Sequence, residues 1–331
     1  MSIYDVAARF FCDRLADSWV PGYLAGRGLG LDGLERWQVG YAPAARDALT
    51  RQLRRTGYSE QVILAAGLAR QARNGGLADL FRDRAMLPMR SPRGMIIAFI
   101  GRAGDEPEQT GPRYLNSPTT SCYAKSQTLF GLWEAQEALI KGAIPVIAEG
   151  PLDVMAIAAS GDGGYAPLAP CGIALSAAQV RALQLAGDLR ATGVLVAFDA
   201  DDAGRHAAVR AYRRLSPVAA RVWTVTMPPG YDPAGLASER GPAALRQALA
   251  QGRRPLADLV LDAALAGWVP NLRFAEGQIG ALRTAAAIIA TMPPPDVARQ
   301  VGHLADRLGL DCATVTEAVA EAVTWVPGPC A

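Results

Sequence analysis

The chain reads as an α/β protein in three parts: a mixed α+β unit over residues 1–142, a parallel-sheet unit over 143–253 and a helical segment over 254–331. Three observations carry that reading. Two short β-branched apolar runs, Val146-Ile147-Ala148 and Val194-Leu195-Val196-Ala197-Phe198, end in acidic residues and pass at once into helical patterns, as buried parallel strands do. Residues 79–125 form two strand-like runs around the turn Pro92-Arg93-Gly94 and are set with arginines. From Pro255 onward, alanine-rich helical patterns are interrupted by Pro270 and Pro293-Pro294-Pro295.

Taken in order, residues 3–26 space apolar and charged positions as a helix does, with Phe10, Phe11, Leu15 and Trp19 on one side, a stripe that reads as core. Gly26 to Gly40 is a glycine-punctuated connection around a short helix at Leu31–Trp37. Two more helices follow, Arg46–Thr56 and Ser59–Ala66, the second opening on a serine cap. Asn74-Gly75-Gly76 is a turn. The hairpin runs from Asp79 to Gly101-Arg102 and leads through a polar loop to Pro112–Pro118 and Tyr123-Ala124-Lys125.

Residues 143–250 alternate strand and helix, with helices near Leu152–Ser160, Ser176–Ala186 and Ala203–Leu215 and a last strand at Arg221–Met227. Pro151 suits the first turn of its helix, where a missing N–H costs nothing. Pro228-Pro229-Gly230-Tyr231-Asp232-Pro233 makes a rigid loop. Asp311 is placed to cap a final helix, and Val326-Pro327-Gly328-Pro329 is expected to fray.

At 331 residues, half of them apolar, the chain can bury a core in two or three units. No apolar run approaches a membrane span, and Met1-Ser2-Ile3-Tyr4-Asp5 lacks a basic signal start, which predicts a cytoplasmic protein. Cys12, Cys122, Cys171, Cys312 and Cys330 are scattered, against a zinc site or a disulfide framework, so free thiols mostly in the core are expected. The two histidines, His206 and His303, neighbour no candidate nucleophile in sequence, which argues against a histidine triad or a zinc hydrolase. A net charge of +2 is too small to argue nucleic-acid binding, so the placement of Arg82, Arg84, Arg90, Arg93, Arg102, Arg113 and Lys125 around the hairpin carries that question. A solvated hairpin would show the same decoration.

The acids are the sharper signal. Glu149 ends one strand and Asp153 follows one helical turn later, while Asp199 and Asp201 leave the other strand end on one side. Both groups fall at carboxyl ends of strands, where open α/β sheets place their sites. Four carboxylates this close raise one another's pKa unless cations hold them, and hard oxygen ligands suit Mg²⁺. Either cluster alone would also serve as a helix cap, Asp202 before Ala203-Gly204 being such a candidate.

Glu149-Gly150-Pro151-Leu152-Asp153 followed by Asp199-Ala200-Asp201 resembles the TOPRIM domain of primases, topoisomerases and some nucleases. Phe81-Arg82, Met86-Leu87-Pro88, Tyr114-Leu115-Asn116-Ser117-Pro118, Lys125 and Leu129-Phe130-Gly131-Leu132 resemble the bacterial DnaG-type primase core. Leu34–Pro43 and the stretch from Gly57-Tyr58-Ser59 to Gly67-Leu68 fit it too, so the resemblance spans roughly residues 5–250 in one order. It implies a Rossmann-like TOPRIM fold and synthesis of short RNA primers on a single-stranded DNA template from ribonucleoside triphosphates, with Mg²⁺ or Mn²⁺ and two-metal chemistry. On that resemblance Asp153, Asp199, Asp201 and Asp232 hold metal, and Glu149 is a ligand or the general base. Arg82, Arg84, Arg102, Arg113 and Lys125 hold triphosphate and template backbone, and Asn116 positions sugar or base. The expected location is cytoplasmic, at the nucleoid.

Pro229 and Ala234 stand where that family has aspartates, which puts one metal position in doubt unless Glu239 fills it. Gly172-Ile173-Ala174-Leu175-Ser176 also lacks the family's threonines. The zinc ribbon that opens a full bacterial primase is not seen, so no zinc is expected and a separate zinc-ribbon protein is a candidate partner, as is a replicative helicase. The helical segment 254–331 reads as packing or partner surface. Two other readings stand beside the primase: a TOPRIM nuclease using the same acids, and a non-catalytic module binding single strands or a helicase. The primase-type segment before the acids argues against the first, and four clustered carboxylates against the second.

Overall fold

A computed structural model describes residues 2–72, 75–105, 111–161, 164–172, 174–199 and 201–324. The first helix, α1 (Ile3–Cys12), opens on a reciprocal cap in which the Ser2 hydroxyl accepts the Asp5 amide and the Asp5 carboxylate accepts the Ser2 amide. It ends well before residue 26. Pro21 lies in the first turn of a separate helix, α2 (Val20–Ala25), where its missing N–H costs nothing. Phe10 and Phe11 are buried core, as their spacing predicts, and Phe11 meets Phe99 edge to face. After α3 (Leu31–Arg36), strand β1 (Gly40–Ala42) lies so close to α1 that a Cβ on Gly40 would stand 2.5 Å from Phe11 Cβ.

Helices α4 (Ala48–Arg55) and α5 (Glu60–Ala65) follow, the Ser59 hydroxyl capping α5 through the Val62 amide. A two-stranded ribbon, β2 (Ala69–Gln71) and β3 (Leu77–Asp79), holds its turn partly in Gly75 and Gly76; Asn74 of the expected turn lies outside the described residues. The hairpin is β4 (Arg84–Arg90) and β5 (Ile96–Ala103), joined by the expected turn, and β6 (Tyr114–Asn116) pairs with β5. These strands form an antiparallel sheet in the order β1-β4-β5-β6. Both its faces are covered, which explains an apolar run without polar alternation. Met86, Ile96 and Phe99 pack among α1, α4 and α5, while Ala85, Leu87, Met89, Ala98 and Ile100 pack into the central core.

Gly131, at φ +85°, starts α6 (Leu132–Ile140) and leads into the central sheet. That sheet takes β7 (Ile144–Ala148), α7 (Pro151–Ala159), β8 (Tyr165–Leu168), α8 (Ala177–Ala186), the short α9 (Leu189–Thr192), β9 (Val194–Ala197), α10 (Asp202–Leu215) and β10 (Val222–Val225). The alternation and the helices at 151–159, 177–186 and 202–215 match the spacing-based expectation within two residues; α9 has no counterpart in it. Helix α11 (Pro233–Gln251) is broken at Gly241, φ +82°, and restarts at Pro242, and β11 (Arg253–Pro255) closes the sheet antiparallel to β10. The order is β11-β10-β9-β7-β8. Chain order reverses around β7: α7 carries the chain to β8 on one side, and β9 returns to the other. The carboxyl ends of β7 and β9 therefore face a topological switch point.

The remaining helices, α12 (Leu256–Leu265), α13 (Ala275–Ile289), α14 (Pro294–Leu308) and α15 (Cys312–Thr324), form a bundle with its own core. Helix α12 bridges: Leu256 and Leu259 pack on the central sheet, Leu261 and Leu265 into the bundle. The Asp311 carboxylate caps α15 through the Thr314 amide, as expected, while Val326–Pro329 lie outside the described residues. Among the described residues no helix is long and apolar enough to cross a membrane. The thiols correct one expectation: Cys12 and Cys171 are half-buried and Cys122 and Cys312 exposed. They sit at element ends and in loops, outside the apolar stripes, and Cys12 and Cys171 direct Sγ at backbone carbonyls.

Candidate active site

The register that pairs Ala148 with Ala197 sets Glu149 and Asp199 side by side just past the strand ends. The Asp199 amide donates to Glu149 Oε1 at 3.0 Å. Helix α7 starts at Pro151, so Asp153 falls in its first turn and points back: its Oδ2 accepts the Gly150 amide (3.2 Å) and its Oδ1 the Ala234 amide (3.3 Å). Asp232 caps α11 through the Gly235 amide at 2.5 Å. Glu149, Asp153, Asp199 and Asp232 all line one cavity of about 330 Å³. Asp201 does not. It is exposed and caps α10 through the Gly204 amide at 2.7 Å, so the cap expected of Asp202 sits one residue earlier and Asp202 pairs instead with Arg205. Glu239 does not fill the place left by Pro229 and Ala234 either. It is exposed, accepts the Tyr231 hydroxyl at 3.0 Å, and is not in the cavity lining.

The opposite wall comes from the amino-terminal unit. Arg27, Arg102, Arg113, Tyr114, Asn116 and Lys125 all line the same cavity. Three of the arginines share one carboxylate: Asp105 meets Arg102 at 2.7 Å, Arg27 at 3.0 Å and Arg113 at 3.5 Å. Arg102 is buried, over the rings of Tyr23 and Tyr114, while Arg113 and Lys125 are exposed. Asn116 Oδ1 is buried without a hydrogen-bond partner, as an atom reserved for a ligand would be. Arg82 and Arg84 lie elsewhere, along a neighbouring groove with Trp19, Tyr23 and Asp83. Arg82 is exposed there, whereas Arg84 is buried and donates to the carbonyls of Gly101 (3.1 Å) and Pro112 (2.9 Å), which ties it to the sheet.

Charge is opposed across the cavity, and the carboxylates show it. Burial, then Asp232 and Asp199, push Asp153 up to about 7, the two amides offsetting only part. Burial, then Glu149, Asp232 and Asp201, push Asp199 up to about 6. Glu149 is also raised, by burial first, against the Asp199 amide. Asp105 goes the other way: burial raises it, but Arg102 and Arg27 outweigh that and hold it below the usual carboxylate range. A set of oxygen donors that oppose one another's ionisation suits a hard divalent cation, which reverses the repulsion. Among the described residues no three His, Cys, Asp or Glu side chains converge closely enough on one point to hold an ion as they stand.

Three participants escaped the sequence reading. Arg27 lies in the glycine-punctuated connection, Asp105 begins the polar loop, and Gly172 was noted only for its missing threonines. A Cβ on Gly172 would stand 2.8 Å from Lys125 Cε, so glycine there leaves room for the lysine stem at the cavity wall. Neither Arg27 nor Asp105 carries a local periodic or motif signal. Their significance comes from contacts such as Arg27–Asp105, 78 residues apart.

Residues 11–136 match the family described as DNA primase catalytic core, N-terminal domain, and residues 146–236 match the Toprim-like family. The DNA primase of Streptomyces coelicolor is 33% identical over 329 residues, 97% of this chain and 50% of the relative. That of Deinococcus radiodurans is 35% identical over 240 residues, 71% of this chain and 41% of the relative. The chain thus spans about half the length of the curated relatives it matches. Among solved structures, a DNA primase domain from Pseudomonas aeruginosa superposes with a TM-score of 0.78 at 31% identity, covering 96% of this chain and 98% of that one. The RNA polymerase domain of the Mycobacterium tuberculosis primase DnaG, in complex with double-stranded DNA, gives 0.77 at 30% identity, covering 93% and 97%. With both units matched in order and nearly the whole of two solved primase domains covered, the chain belongs to the family of DnaG-type DNA primase catalytic cores.

Proposed function

We propose that this chain is the RNA-polymerising core of a primase, joining ribonucleoside triphosphates on single-stranded DNA. One observation carries the reading: acids from the sheet unit and arginines from the hairpin unit form opposite walls of a single cavity. A nucleoside triphosphate needs both at once. The cations Arg27, Arg102, Arg113 and Lys125 bind the triphosphate and orient its α-phosphorus, and Asn116 reaches sugar or base. The 3′-oxygen of the preceding nucleotide attacks that phosphorus, a P–O bond forms, and the bond to pyrophosphate breaks. Glu149, held above the ordinary carboxylate range, is placed to take the hydroxyl proton.

The Toprim family is metal-dependent; Mg²⁺, or Mn²⁺, is the proposed ion. Asp153, Asp199 and Asp232, with Glu149, would hold it, and Asp201 would join from the rim. When bound, such ions polarise the attacking and leaving oxygens. The residues' own part is to hold nucleotide and ion in register and to oppose the charge that moves onto pyrophosphate.

A solved catalytic domain of DnaG primase carries single-stranded DNA (TM-score 0.76, 27% identity, covering 94% of this chain and 98% of that one), which supports that template here. The groove bearing Arg82 is the proposed track for its backbone. We also propose three units divided near residues 142 and 253, a replicative helicase and a separate zinc-ribbon protein as partners, and a cytoplasmic site of action at the nucleoid. Primer synthesis from labelled ribonucleotides on single-stranded DNA tests the reading, with Asp199→Ala as the control that must abolish product.

A further inference from the structure

Nucleotidyl transfer joins two nucleotides, and the cavity between acids and arginines, at about 330 Å³, has the volume of one small ligand. A second cavity, about 500 Å³, opens on the other side of Glu149 and Gly172, which line both. Its wall is one stripe of α10. Ala203, His206, Ala207 and Arg210 recur at the spacing of a single helix face, so two alanines leave room and two nitrogen-bearing side chains look into it. Its other side is apolar, from Pro170, Ala174 and Phe198. An apolar slot with one cationic end, and a carboxylate at the edge shared with the first cavity, matches a nucleoside bearing a 5′-phosphate chain.

We propose that this cavity seats the initiating ribonucleoside triphosphate, the one that supplies the 3′-hydroxyl for the first bond. Its base rests on Pro170 and Ala174, its 5′-phosphates reach Arg210 and His206, and its 3′-oxygen lies at Glu149, facing the incoming nucleotide across the shared wall. The new bond joins that oxygen to the α-phosphorus in the first cavity, and pyrophosphate leaves on the arginine side. This rests on the primase reading above.

The two seats are separable by substrate. On a template that directs GTP first and adenosine second, 3′-deoxy-ATP can only be the incoming nucleotide, so varying GTP against it reads the initiating site alone. Extension of an annealed primer by one 3′-deoxy-ATP reads the incoming site. Losing a charged contact to phosphate is worth roughly tenfold in binding. His206→Ala and Arg210→Ala should therefore each raise KM for initiating GTP about tenfold and leave KM for 3′-deoxy-ATP in extension unchanged. Wild type should prefer GTP to guanosine as initiator, and Arg210→Ala should lose that preference, a signature no purely structural role gives. Variants that match wild type in both reactions, or that lose both reactions equally, or that lose only affinity for single-stranded DNA, overturn the assignment while leaving the primase reading intact. A wild-type protein that neither initiates nor extends overturns both.

Discussion

Asp153 and Ala234, 81 residues apart in sequence, are joined by a hydrogen bond in which the buried Ala234 amide donates to Asp153 Oδ1 at 3.3 Å. The bond ties the first turn of α11 to the first turn of α7. Ala234 thus contributes a backbone donor to the acid cluster.

That cluster should cost stability until a cation enters. Asp153 is pushed up to about 7 in the folded chain, above its unfolded value near 4, so the folded state binds its proton more tightly. In chelator, its contribution should be fully present below about pH 4 and decline as pH rises through about 7. Asp153→Asn should remove that decline and, at pH 8, raise stability by about 1–2 kcal/mol. Urea unfolding of both proteins at several pH values measures it. Millimolar Mg²⁺ should stabilise wild type and leave the variant little changed.

Asp79 predicts a loss with no link to catalysis. It is buried beneath α4 and accepts the amides of Leu49 (2.8 Å) and Thr50 (2.9 Å) and the Thr50 hydroxyl (2.6 Å). Asp79→Ala leaves buried donors unpaired and should cost about 2–3 kcal/mol. Chemical denaturation should show the drop, and the folded fraction should retain its activity.

Arg27 and Arg84 should part ways. Arg27→Ala removes a cation from the triphosphate wall and should raise KM for the incoming nucleotide at least tenfold, by roughly 1.5–3 kcal/mol, with little change in melting temperature. Arg84→Ala abandons two carbonyls inside the sheet and should lower the melting temperature by several degrees instead. Steady-state kinetics beside thermal melts of the two variants separates the roles.

Gly172 and Lys125 should behave as a coupled pair. A methyl at 172 meets the lysine stem, whose flexible end can move aside at small cost in stability. Gly172→Ala should therefore raise nucleotide KM by about as much as Lys125→Ala, and the double variant should be no worse than either. Fully additive losses would show that the contact does not position the lysine.

Much of this was legible in the chain because strand and helix differ in period. The two apolar runs and the acids that end them announce strand-to-helix junctions, and such junctions in a parallel sheet point to one edge. What stayed hidden is non-local. That β9 lies against β7, on the side away from β8, is decided by packing across the whole sheet, and that order brings Asp199 beside Glu149. Arg82 and Arg84 are two apart in one basic run, yet one is exposed in a groove and the other is buried under carbonyls, a difference no spacing rule records. Arg27 gave no signal because its partner, Asp105, lies in another segment.

The most direct test of the central claim, that the acid wall and the arginine wall act on one nucleotide, is primer synthesis on single-stranded DNA with labelled ribonucleotides and Mg²⁺ or Mn²⁺. Wild type, Asp199→Ala and Arg27→Ala would be compared, with and without a replicative helicase. Short RNA products from wild type, abolished by Asp199→Ala and recovered for Arg27→Ala only at high nucleotide concentration, are the predicted result. Metal-dependent cleavage of the strand without any product, or single-strand binding without either activity even when helicase is added, would contradict it.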